Sequence, residues 1–111
     1  MTRAETPDDV VLVYTTAASL VEAETIGTDL VERHLAACVN ILPGMRAIYR
    51  WQGSVERANE VVMIVKTLRR QLEAARGRFR AIHAYDTPAF LVIDVPEGDA
   101  DYLAWLRGQV A

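Results

Sequence analysis

A chain of 111 residues, 51% apolar and 24% charged, suits one globular domain and leaves no room for two. Its formal net charge of -3 argues against a general nucleic-acid binder. No apolar run approaches the roughly 18 residues that span a bilayer, so neither nucleic acid nor membrane is an expected partner. The single cysteine, Cys38, excludes an intrachain disulfide and suits a reducing, cytoplasmic setting.

Residues 1–9 are polar and acidic and lack the apolar middle of a secretion signal, so they read as a frayed tail ahead of a single domain over residues 10–111. Val10 to Thr16 is β-branched and apolar, the pattern of a buried strand. Ser19 and Glu22 form a capping box, and Ala23, Ile26, Gly27, Leu30, Val31 and Leu35 recur at helical spacing, which predicts a helix to about Ala36. Cys38 to Leu42 begins a second strand. Pro43-Gly44 kinks or bulges it, and it resumes from Met45 to Trp51. A turn at Gln52-Gly53-Ser54 leads into a third strand ending near Thr67, so the two long strands form a hairpin.

Leu68, Leu72, Ala75, Phe79 and Ile82 mark a second amphipathic helix. Its arginines, Arg69, Arg70, Arg76, Arg78 and Arg80, read as a solvated outer face. Phe90 to Val95 is the fourth strand, and a short helix after Asp99 places Tyr102, Trp105 and Leu106 on one side. The order βαββαβ plus a terminal helix is the split βαβ, ferredoxin-like α+β arrangement with an antiparallel sheet. Right-handed crossovers put both long helices on one face of that sheet. Yet Val10 to Val13, Val61 to Val65 and Leu91 to Ile93 do not alternate, so the second face also demands cover. Another copy of the chain supplies it most simply, so a homo-oligomer is expected.

The segments Leu35-Ala36-Ala37-Cys38-Val39-Asn40-Ile41-Leu42-Pro43-Gly44, Tyr49-Arg50-Trp51-Gln52-Gly53-Ser54-Val55, Lys66-Thr67, His83-Ala84-Tyr85-Asp86-Thr87-Pro88 and Asp101-Tyr102-Leu103-Ala104-Trp105-Leu106 together resemble the CutA (divalent-cation tolerance) family over nearly the whole chain. The resemblance implies a ferredoxin-like trimer similar in fold to PII signal proteins, association with copper and other divalent cations, an inter-subunit pocket and no firmly established enzymatic reaction. Ala84 stands where the family has proline, Asp86 where it has glutamate, and Ala89 where many members have another glutamate. Some bacterial members carry a cysteine and a second histidine where this chain has Thr15 and Ile82. These departures speak for weak or non-obligatory metal binding.

His83, Cys38 and Asp86 are the metal candidates, with Cu2+ the favoured ion because it heads the divalent affinity order. Neither a CxxC nor an HxxxH spacing accompanies them. Cys38 reads more readily as a small buried hydrophobe at a strand start, and His83 equally as a helix C-terminal cap. His83 is expected to contribute more than Cys38, because it opens a loop. Tyr49, Trp51, Glu60, Lys66 and Tyr85 read either as an inter-subunit pocket or as ordinary subunit contacts. A PII-like metabolite sensor and an uncharacterised activity with His83 as general base are the alternatives.

Overall fold

The computed structural model describes residues 5–111. Strands β1 (Val10–Ala17), β2 (Cys38–Trp51), β3 (Ser54–Leu68) and β4 (Leu91–Asp94) form one antiparallel sheet in the order β2-β3-β1-β4. Helices α1 (Leu20–Glu32) and α2 (Leu72–Ile82) cover one face, and α3 (Ala100–Gln109) follows the last strand. This is the expected ferredoxin-like topology.

Local chemistry sets the boundaries. The Ser19 hydroxyl accepts from the Glu22 N–H at 3.1 Å, and Glu22 Oε1 reaches back to accept from the Ala18 N–H at 3.0 Å, which satisfies donors that a helix start leaves open. Helix α1 stops at Glu32 rather than near Ala36. His34 takes a left-handed φ of 58°, and the Leu35 and Ala36 N–H groups turn back onto the Leu30 carbonyl. The hairpin closes at Gln52 and Gly53, both at positive φ, 48° and 83°, the requirement of a tight turn whose twist matches its strands. The ladder slips between Leu42 and Met45, where Gly44 sits at φ 86°, so the kink at Pro43-Gly44 is a β-bulge.

Odd-numbered β1 and β3 residues, Val13, Ala17, Val61, Met63 and Val65, meet Ala23, Ile26, Leu30 and Phe79 in the main core. A second cluster joins Val10, Ala37, Leu68, Leu106 and Val110, so α3 seals one end of the opposite face. Leu106 is buried there, while Tyr102 and Trp105, expected on the same side, are 43% and 48% exposed. Beyond α3 the opposite face stays open: Leu42, Leu91 and Ile93 are exposed, and Leu12, Tyr14, Val62 and Ile64 only half buried. The missing alternation in sequence therefore reports two apolar faces, one of them uncovered in a single chain.

Two buried threonines tie loops to the sheet. Thr15 Oγ1 donates to the Ala89 carbonyl at 2.5 Å and Thr67 Oγ1 to the Leu35 carbonyl at 2.6 Å. Helices α1 and α2 are joined by a bidentate pair, Arg78 to Asp29 at 2.8 and 2.7 Å. The segment expected to fray is docked from Thr6 onward. The Asp9 carboxylate accepts from the Thr6 N–H and hydroxyl, and the Pro7 and Asp9 carbonyls accept from the Arg70 and Arg69 N–H groups. Residues 1–4 lie outside the described residues.

Candidate functional site

Helix α2 ends on His83, whose ring lies 4.8 Å from Phe79 on one side and 4.8 Å from Tyr85 on the other. His83 is 9% exposed. Its Nε2–H donates to the Thr16 carbonyl at 2.8 Å, and its Nδ1 accepts from the Tyr85 N–H at 2.9 Å. These partners fix the tautomer and leave neither nitrogen free. Glu22 Oε2 accepts from the Ala84 N–H at 2.9 Å, so one carboxylate caps α1 and pins the loop after α2. Only Glu22's first role is visible in the local sequence pattern. Its pairing with a loop 62 residues away leaves no local signal.

The pinned loop aims Tyr85 at a small cluster. Burial pushes the Tyr85 phenol up, and the charges of Glu60 and Glu22, then Tyr49, add to the rise. Glu60 and Tyr49, expected in one pocket with Tyr85, thus each lie within electrostatic reach of the Tyr85 phenol, as does Glu22. Lys66 is elsewhere on the sheet. Its ammonium donates to the Tyr102 hydroxyl at 3.0 Å and stands 5.3 Å from that ring. That hydrogen bond raises the lysine's pKa, and the facing Cys38 contributes further. Trp51 sits at the hairpin tip, 59% exposed. From Met45 to Glu60 the hairpin runs beyond the last residue paired with β1, so this arm is a two-stranded ribbon carrying exposed Ile48, Tyr49, Trp51 and Val55.

The three metal candidates do not converge within one chain. His83 bonds Thr16, which faces Val62 on β3, whereas Cys38 faces Lys66 on β3. Four residues along a strand separate them by ~13 Å before any lateral offset. Asp86 is exposed in the loop, and among the described residues no group of three or more His, Cys, Asp or Glu is placed to hold a metal. The expected ranking of His83 over Cys38 reverses on geometry: the imidazole is buried and doubly engaged, whereas the free thiol of Cys38 is partly accessible. A ligand set at His83, Cys38 and Asp86 therefore does not fit a tightly held ion, and the engaged ring is equally unavailable as a general base.

Residues 11–109 match the family described as CutA1 divalent ion tolerance protein. The divalent-cation tolerance protein CutA of Thermus thermophilus is 43% identical over 100 residues, covering 90% of this chain and 95% of that protein. The chloroplastic protein CutA of Arabidopsis thaliana is 34% identical over 97 residues, covering 87% of this chain and 53% of that longer protein. Among solved structures, CutA of Xylella fastidiosa superimposes with a TM-score of 0.90 at 38% identity, covering 93% of this chain and 99% of that one. The CutA of Archaeoglobus fulgidus, described as periplasmic, gives 0.89 at 39% identity over 92% and 99%. These matches give a PII-like sensor no support. Identity of this extent, spread over strands, helices and hairpin together, is shared ancestry and not a shared fold alone: the chain belongs to the CutA1 divalent ion tolerance family.

Proposed function

We infer that this chain serves divalent-cation tolerance as a cytoplasmic homotrimer that meets Cu2+ weakly and needs no resident metal. The observation that carries the tolerance reading is the full-length match to proteins of that name. Trimerisation, which the family resemblance implies, is supported by the half-open apolar sheet face, by the unpaired edge of β4, and by an arm that a single chain leaves wet. An isolated two-stranded ribbon is marginal in water. Laying each arm along the β4 edge of the next copy covers both and closes a ring. Tyr49, Glu60 and Tyr85 then belong to a pocket at the junction, with Trp51 at its rim and Lys66 on the sheet face turned to the other copies. A free, partly accessible thiol suits the cytoplasm.

The test combines light scattering with calorimetric Cu2+ titration of wild type, Cys38→Ala, Asp86→Asn and His83→Gln. A mass near three chains, unchanged by a chelator, is expected, with copper affinity in the micromolar range or weaker and reduced by Cys38→Ala more than by His83→Gln. A stable folded monomer refutes the assembly. Nanomolar binding abolished by His83→Gln in a folded protein refutes loose binding.

A further inference from the structure

If the arms and β4 edges close the trimer, one stretch of edge remains. The half of β2 before the bulge, Cys38–Leu42, is the outer strand of the sheet, and its outward N–H and C=O groups have no strand partner among the described residues. It is not bare, because α1 runs beside it. Between them lies a cavity of about 440 Å³ with an apolar floor of Gly27, Val31, Val39 and Ile41 and a rim carrying Glu24 and Glu32. Gly27 keeps the floor low: a Cβ there would lie 3.3 Å from Val39. Neither Glu24 nor Glu32 has an ion-pair partner among the described residues, whereas their neighbour Asp29 is taken by Arg33 and Arg78. A free strand edge flanked by a helix is the geometry in which proteins accept an extended peptide as an additional strand.

We propose that the α1–β2 groove docks an extended basic segment of a partner protein by strand addition. The spacing of the carboxylates defines the segment. Glu24 and Glu32 are eight residues apart on a helix, ~12 Å along its axis. In an extended chain, residues i and i+4 point the same way and stand ~13.5 Å apart. A cationic side chain at each of those positions meets one glutamate, and the residue between them, at i+2, drops an apolar side chain onto the floor. The recognised pattern is basic-x-apolar-x-basic, read by backbone pairing to β2 and by charge at the rim. The groove lies within one chain, so the proposal rests on the proposed assembly only in that the assembly leaves this edge open.

The experiment uses the full chain and a fluorescent nonapeptide centred on arginine, threonine, valine, threonine, arginine, followed by anisotropy. Hydrogen exchange of the β2 amides is read in the same samples, and light scattering gives the mass. Saturable binding is expected, weakened at least fivefold by the double variant Glu24→Gln/Glu32→Gln and at least tenfold when alternate peptide amides are N-methylated. Added protection should appear at Val39–Ile41 and not at the arm. Overturning results are no binding at millimolar peptide, equal binding of a control with glutamates in place of the arginines, or a double variant that binds as wild type does. Outward β2 amides already protected in the free protein would also overturn it, since another copy would then occupy the edge. A monomeric mass with the peptide still bound overturns the assembly alone, and a trimeric mass without binding overturns the groove alone.

Discussion

Replacing His83 by alanine tests whether the ring is a structural keystone. The substitution leaves the Thr16 carbonyl, in a residue 8% exposed, without its donor, a loss of about 1–3 kcal/mol for a buried acceptor. It strips the Tyr85 N–H of its acceptor, adding about 1 kcal/mol. It removes two ring contacts at 4.8 Å, each contributing about 0.5–1.5 kcal/mol. These terms share one residue and are not fully additive, so a total of about 3–4 kcal/mol is expected. At roughly 4 °C per kcal/mol for a domain of this size, the thermal midpoint should fall by about 12–16 °C. Differential scanning calorimetry at neutral pH and fixed chain concentration is the assay, with His83→Phe as companion. Phenylalanine keeps the ring and loses both hydrogen bonds, so it should recover about a third of the loss. A midpoint within about 3 °C of wild type for His83→Ala would refute the reasoning. A His83→Phe variant as stable as wild type would assign the whole effect to ring contacts and refute the hydrogen-bond account.

The guanidinium of Arg78 holds the Asp29 carboxyl down at about 2, against an ordinary 3.8. Because the folded value is the lower one, the pair stabilises the fold above pH ~4 and loses that contribution as pH falls towards ~2. Both side chains are partly exposed, so solvent screening keeps the gain small. Acid titration of unfolding free energy should show the slope in wild type and lose it in Asp29→Asn; matching slopes would deny the pair its role. Glu22→Gln removes a negative charge near Tyr85, so the Tyr85 phenol should titrate lower, read as the difference from a Tyr85→Phe background by ultraviolet phenolate absorbance. No movement would place Glu22 outside the cluster. If the proposed trimer forms with exposed Trp51 at its boundary, Trp51→Ala should lower the mass at micromolar concentration or the thermal midpoint, and unchanged mass and midpoint would deny Trp51 that role.

Much of the fold is legible because it rests on local rules. Ser19 and Glu22 announce the start of α1, Gln52-Gly53 the hairpin turn and Pro43-Gly44 the bulge, each through backbone chemistry confined to a few residues. The end of α1 was not legible. The left-handed residue there is His34, not glycine, and what keeps it in place is distant: its Nδ1 lies 3.1 Å from the Gln109 carbonyl, and its own carbonyl accepts from the Ala111 N–H. Docking of Thr6–Asp9 was hidden for the same reason, since its partners are Arg69 and Arg70.

The candidate site divides along the same line. Tyr49, Glu60 and Tyr85 read as a group from sequence, and in the fold the first two act electrostatically on the Tyr85 phenol. Accessibility was not readable, and it decides the chemistry. A histidine opening a loop looks available from sequence, yet His83 is enclosed by Phe79, Tyr85 and Thr16 because the loop folds back over the end of β1. A cysteine opening an apolar strand looks sealed, yet β2 is an edge strand and Cys38 faces the uncovered side of the sheet beside Lys66. An edge position exposes what sequence pattern alone would bury. The same topology that leaves Cys38 accessible leaves the Cys38–Leu42 edge without a strand partner among the described residues, with α1 standing over it. The accessible thiol and the open strand edge are therefore two consequences of one choice, placing the second strand of a ferredoxin-like fold at the rim of its sheet.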